Sequence, residues 1–270
     1  MKIDGNKCKN CRQCIPYCPV QAIKDTPKGV CIDQDLCVEC GVCYRSRICK
    51  SGALAPFSRR YSCKPIPFIS RVTGRVLRIL AGYTPGMTHL GSPRRIRETF
   101  SDPFTTSILT QISGRGTAEI KTNDVTGRYR PGEIGFCIEV GRPGIGATMK
   151  EVEQFTVALA QLGVYFEPDN PMTRLIRDTR GHLQKKYHEE RVLSAIIECK
   201  VNFDDVGNIF ELIKRLDRQT DTVFTVGVIS TIDLHGETPV LEKIAEYGLC
   251  PSTHSKINVG LGIPSSEGDR

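Results

Sequence analysis

Tryptophan is absent, and aromatic residues make up only 7% of the 270 positions. A chain so poor in flat rings lacks the interleaved stacking platforms of single-strand nucleic-acid binders. No run of 18 or more apolar residues occurs, so no segment is expected to span a membrane. The opening Met1-Lys-Ile-Asp-Gly5 has no apolar stretch of the secretory kind, and the expectation is a cytoplasmic protein. Neither G-x-S-x-G nor H-E-x-x-H is present, so two familiar hydrolytic chemistries are set aside. The histidines, His89, His182, His188, His235 and His254, are scattered and form no spaced metal motif. Acids are scarce locally: residues 58–98 hold nine Lys and Arg against the single acid Glu98, whereas residues 99–270 carry a net −5. The overall charge of +7 is therefore patchy. It suits docking of an acidic protein surface, or of an anionic small molecule, better than binding of DNA or RNA.

What the sequence has in excess is cysteine. Nine of 13 lie between Cys8 and Cys49, and only Cys63, Cys137, Cys199 and Cys250 lie beyond. They form two runs, Cys8-x2-Cys11-x2-Cys14-x3-Cys18-Pro19 and Cys37-x2-Cys40-x2-Cys43-x5-Cys49. Three thiols at two-residue gaps let a tight loop wrap one metal cluster, and a fourth ligand must come from elsewhere. Disulfides are disfavoured without a secretory signal. Zinc sites prefer paired Cys-x2-Cys units, not triplets followed by a further cysteine. Cys31, Cys63, Cys137, Cys199 and Cys250 fall outside both patterns and are expected to be small buried residues.

On these runs, residues 1–57 resemble the bacterial-type ferredoxins with two 4Fe–4S clusters. The likeness extends to Cys18-Pro-Val-Gln-Ala-Ile23 and Cys49-Lys-Ser-Gly-Ala-Leu54, the paired segments after each fourth cysteine, and to Val30–Cys37, a short strand leading into the second run. The resemblance implies that the fourth cysteine of each run crosses to the other cluster. Cluster one would take Cys8, Cys11, Cys14 and Cys49, and cluster two Cys37, Cys40, Cys43 and Cys18. Each oxidised, ligated cluster would add about −2 to the charge. Two departures stand out: five residues precede Cys49 where three are usual, and Lys50 replaces the usual proline. Both widen the loop around cluster one.

Residues 58–112 read as a basic connector punctuated by Pro and Gly, with a short helix expected at Ile69–Leu80. Residues 113–133 are the densest polar stretch, and Arg115, Thr117, Glu119, Lys121, Asn123, Asp124 and Arg128 are candidates for gripping a substrate or partner, set against a plain exposed hairpin. From Ile134 a regular pattern begins. A strand Ile134–Val140 and a glycine-rich turn lead to a helix opened by a Thr148/Glu151 capping box, then a short strand Val164–Phe166. A strand Arg191–Val201, a helix capped by Asp204 or Asp205 and a strand Thr222–Ile229 follow. These are two βαβ-like units, with an internal repeat of about 62 residues suggested by Cys137 and Cys199. A last helix runs from Thr238-Pro239 to Gly248, and Ile257–Ile263 is a candidate edge strand. The expected fold is α+β: a two-cluster ferredoxin domain (1–57), the connector (58–112), and an α/β sandwich that binds a partner or substrate (113–270).

The turn Gly141-Arg-Pro-Gly-Ile-Gly-Ala-Thr148 lies between strand and helix, as phosphate loops do. Ala147 stands where a phosphate loop has lysine, which argues against ATP hydrolysis. An anion held by backbone amides with help from Arg142 is the alternative to a plain βα turn. The leading functional expectation is an iron–sulfur electron-transfer protein, the electron-supplying component of a low-potential reductase in an anaerobic cytoplasm. The first alternative is an oxidoreductase in its own right, with a substrate site at loops 113–133 and 141–148. The second is a redox sensor or assembly factor.

Overall fold

The computed structural model describes residues 1–56, 93–102, 128–142, 145–232, 237–251 and 253. The connector helix expected at 69–80, the edge strand expected at 257–263 and most of the polar stretch 113–133 lie outside the described residues. The chain divides into two compact units. One is Met1–Gly114 with Glu190–Leu193, and the other Arg115–Glu189 with Ser194–Arg270. No described helix is long and apolar enough to cross a membrane.

The first unit is built from two small antiparallel ribbons. β1 (Lys2–Ile3) pairs with β4 (Leu54–Ala55), and β2 (Ile23–Thr26) pairs with β3 (Gly29–Ile32). A single helical turn, α1 (Val42–Arg45), follows the second cysteine loop. Met1, Ala22, Ile23, Val30 and Leu54 form a core together with Cys37 and Cys43. Within the stretch read as an irregular connector, Arg95–Ser101 forms a helix, α2. Pro93 precedes it, and Ile96 and Phe100, one turn apart, are buried. Its seven residues are too few, and too rich in arginine, to register as a periodic pattern.

The second unit has mixed α and β content. Its elements are β5 (Glu133–Val140), α3 (Met149–Gln161), β6 (Tyr165–Phe166), β7 (Ala195–Asn202), α4 (Val206–Gln219), β8 (Phe224–Ser230) and α5 (Val240–Glu246). The sheet order is β8-β5-β7-β6, with every neighbouring pair antiparallel. β5 and β6 are therefore parallel with β7 between them, and β7 and β8 are parallel with β5 between them. Two split β-α-β segments interleave. Edge-to-face ring contacts, Phe136–Phe210 at 5.9 Å and Phe155–Phe224 at 5.0 Å, tie the helices to one sheet face.

That register corrects the repeat inferred from two cysteines. Cys199 lies opposite Phe136 and so faces the helices, whereas Cys137 lies opposite Glu198 on the other face. They are not equivalent positions, because a strand alternates its faces with period two. The strand expected over 191–201 is also interrupted. Arg191–Val192 and Ala195–Asn202 are separate, and the Leu193 N–H donates to Ser101 Oγ at 2.8 Å. Asp205 makes no side-chain cap on α4; the turn Phe203–Asp205 precedes the helix instead. The Thr148/Glu151 capping box forms as expected. Gly141 has φ +88°, and a Cβ there would lie 2.8 Å from the Gly146 carbonyl carbon, so the turn before α3 requires glycine.

Candidate metal centre

The two cysteine runs fold as two copies of one motif. The Cys8 N–H donates to Asp4 O at 3.0 Å and the Cys37 N–H to Asp33 O at 3.0 Å. The Asn6 and Asp35 N–H groups donate to the side chains of Asp4 and Asp33. The equivalence is an offset of 29 residues up to the third cysteine, and of 31 at Cys18 and Cys49, where the second loop is longer. All five non-glycine residues with positive φ among the described residues lie here: Asn10, Arg12, Gln21, Glu39 and Arg47. Asn10 and Arg12 flank Cys11 as Glu39 and Gly41 flank Cys40. Left-handed backbone at such positions costs of order 1–3 kcal/mol each. In tight loops it produces the amide-lined concavities that hold phosphates and iron–sulfur groups.

The motif copies exchange strands. The Asp33 N–H donates to Ala22 O at 2.7 Å, and the Asp4 N–H to Ala53 O at 2.8 Å. The segment after Cys18 is thereby stitched to the strand leading into the second run, and the segment after Cys49 to the strand leading into the first. Cys18, Cys37, Cys40 and Cys43 line one small cavity, walled otherwise by Met1, Val20, Ile23, Val38 and other apolar groups. Burial pushes the Cys43 thiol up to about 12, and the neighbouring sulfurs of Cys40, Cys37 and Cys18 add to it. Cys14 is raised by burial and then by Cys49, Cys11 and Cys8. Each set of thiols thus feels its own members. At Cys49 burial acts upward, but hydrogen bonds from Ser51, from the Ala53 and Leu54 N–H groups and from the Ser51 N–H outweigh it and lower the thiol. Backbone N–H groups also donate to sulfur: Ala22 N to Cys18 Sγ at 3.1 Å and Ala53 N to Cys49 Sγ at 3.3 Å.

These donors fit a 4Fe–4S cluster. They are all sulfur, the soft donor such clusters take, and amides are aimed at two of the sulfurs. Among the described residues no three His, Cys, Asp or Glu side chains converge tightly enough to hold a single metal ion; the thiols ring a space instead of a point.

The second loop carries a layer of support that the cysteine spacing does not announce. Arg97, 6% exposed, donates from one terminal nitrogen to Gln34 O at 2.8 Å, Cys37 O at 2.9 Å and Asp35 O at 3.2 Å, and it pairs with Glu190. Arg94 donates to Gln34 O at 3.0 Å and pairs with Glu39 at 2.7 Å. Arg45 donates to Cys40 O and pairs with Asp102 at 2.6 Å. The Met1 amino group also pairs with Glu39. The one sequence signal for Arg94 and Arg97 was the nearly acid-free run of arginines before Ser101.

The remaining candidates are not gathered into this centre. Arg115, Thr117, Glu119, Lys121, Asn123 and Asp124 lie outside the described residues. Arg128 pairs with Glu167 and Asp169, and Arg142 with Glu139 at 2.7 Å. At the start of α3 the Thr148 N–H donates to Glu151 Oε2 at 2.6 Å. Glu151 thus places a carboxylate where an external anion would sit. Cys137 and Cys199 are buried as expected, but Cys31 and Cys250 are exposed. Cys31 alternates outward along β3 between buried Val30 and half-buried Ile32.

Comparison with known proteins reaches only part of the chain. Residues 1–24 match the 4Fe–4S binding domain family. An uncharacterized protein of Methanocaldococcus jannaschii is 47% identical over 55 residues, which is 20% of this chain and 20% of that protein. The match therefore spans about a fifth of the relative's length. No solved structure matches. The 4Fe–4S segment supports an iron–sulfur electron-transfer role.

Proposed function

We propose that this chain is an electron-transfer protein carrying two 4Fe–4S clusters. One is held by Cys8, Cys11, Cys14 and Cys49, the other by Cys37, Cys40, Cys43 and Cys18. The observation that carries this is the single cavity shared by Cys18 with the three cysteines of the other run. Bound clusters would supply one-electron redox chemistry at potentials set by their protein shell. The chain's own residues do the rest. The left-handed loops wrap the donors, Ala22 N and Ala53 N bond the crossing sulfurs, and Met1, Ile23 and Val38 exclude water from the second set. The second unit, an α/β sandwich with two β-α-β-like halves, binds the electron-accepting partner. The chain then serves as the electron-supplying component of a low-potential reductase in an anaerobic cytoplasm.

The test is metal content after anaerobic reconstitution of the full chain. Two clusters predict about eight irons and eight sulfides per chain, and Cys18→Ser lowers the iron to about half. A wild-type protein that holds only one or two irons refutes the proposal.

A further inference from the structure

The two copies of the cysteine motif share a backbone and differ in exposure. In the first loop Lys7, Lys9, Asn10, Cys11, Arg12 and Gln13 are all exposed. In the second, Cys37, Val38, Cys40, Gly41 and Cys43 are all buried. The offset of 29 makes the contrast residue by residue. Lys7 corresponds to Leu36, Lys9 to Val38 and Arg12 to Gly41. The copy that lies under α2 carries apolar or minimal residues where the other carries cations. Arg94 and Arg97 then occupy the second loop's outward carbonyls, at Gln34, Asp35 and Cys37. The second loop has no free backbone there to offer a partner.

We propose that the first cysteine loop is the port at which this protein takes up electrons, and that it docks an acidic one-electron carrier protein. This rests on the two-cluster reading. Lys7 and Lys9 rim the exposed Cys11 loop. Lys7 has only a loose 3.7 Å contact with Asp4, and both partners are well exposed, so its charge remains available to a partner. Arg47 and Lys50, in and after the widened loop before Cys49, are exposed as well. Cations around an electron-transfer edge steer an acidic partner and fix its orientation. A cluster held by the first set would accept the one electron that the carrier gives up.

The experiment uses the full chain reconstituted anaerobically, with an acidic flavodoxin as the probe. Binding to the oxidised flavodoxin is measured by calorimetry, and reduction by the fully reduced form by stopped flow. Lys7→Glu with Lys9→Glu is expected to weaken both about ten-fold at low ionic strength, with full iron content and a difference that closes in high salt. Lys185→Glu with Lys186→Glu, the same charge change in the second unit, is expected to bind as wild type does. A chelator is expected to remove the iron in two phases, the first abolished in Cys49→Ser. The port is overturned if the first double variant keeps its iron and binds as wild type. It is equally overturned if both double variants weaken alike, if wild type shows no salt-dependent binding, or if iron leaves in one phase. Iron well below eight in wild type defeats the two-cluster reading itself, and is told apart by the assay of metal alone.

Discussion

Arg97 illustrates what a single residue does here. Its guanidinium is buried against three carbonyls and Glu190. Removing it strands a carboxylate and those carbonyls. Arg97→Met is therefore expected to cost about 3 kcal/mol, read as a lower denaturant midpoint of the iron-loaded protein. Arg97→Lys recovers only part of the loss, because an ammonium lacks the planar fork. Asp33 makes a different prediction. Its carboxyl is held below the usual range by the Lys24 ammonium and by the N–H groups of Leu36 and Asp35. A group depressed on folding contributes stability above its unfolded value and loses it as pH falls through the folded one. Asp33→Asn is then less stable than wild type at neutral pH, and the gap closes below about pH 4; denaturant melts at a series of pH values check this. The cysteines could be read from sequence because their spacing is local. Arg97 could not, because its partner Cys37 is 60 residues away and nothing in a one-dimensional pattern couples them.

Among the elements, the ones with strong local codes were legible. The Thr148/Glu151 box opens α3 where the sequence places it. Thr148→Ala is expected to cost about 1 kcal/mol, and after Glu151→Ala the same change costs less, since each side chain bonds the other's backbone; thermal melts of the cycle measure it. Along α4, Ile209, Phe210, Leu212 and Leu216 are buried and Ile213 is half-buried. What local codes miss is where a strand stops. Arg191–Asn202 reads as one strand, yet buried Ser194 and the hydrogen bond from Leu193 to Ser101 break the ladder. The face on which Cys137 lies depends on register, and register is a property of pairs of strands.

At the scale of the whole molecule, the two units differ in what holds them. The second has an apolar core that includes Phe136, Ile138, Phe155, Leu159, Ile209 and Phe210, each at most 1% exposed. The first has a core in which Cys37 and Cys43 are buried members and Cys8, Cys14, Cys18 and Cys49 pack against it. With clusters bound as proposed, a core so small and so rich in thiols would draw its stability from them. Stripping iron with a chelator is expected to abolish one calorimetric transition and leave the other in place, and loss of both would oppose that division. The cysteine count was visible in the sequence from the start; that Cys8, Cys14, Cys18, Cys37, Cys43 and Cys49 pack in or against the apolar core of the first unit is visible only once the packing is known. The crossed stitching of the two motif copies carries one more consequence. Neither half closes on itself: Ala22 completes the strand before Cys37, and Ala53 the strand before Cys8. If the clusters take the crossed sets proposed above, a backbone severed between Pro27 and Lys28, in the turn joining β2 to β3, would yield two fragments, each lacking the sulfur its own loop requires and each carrying the one its neighbour lacks. Such fragments would then be obligate complements, and iron uptake by a mixture, absent from either alone, would be a reporter of their reunion.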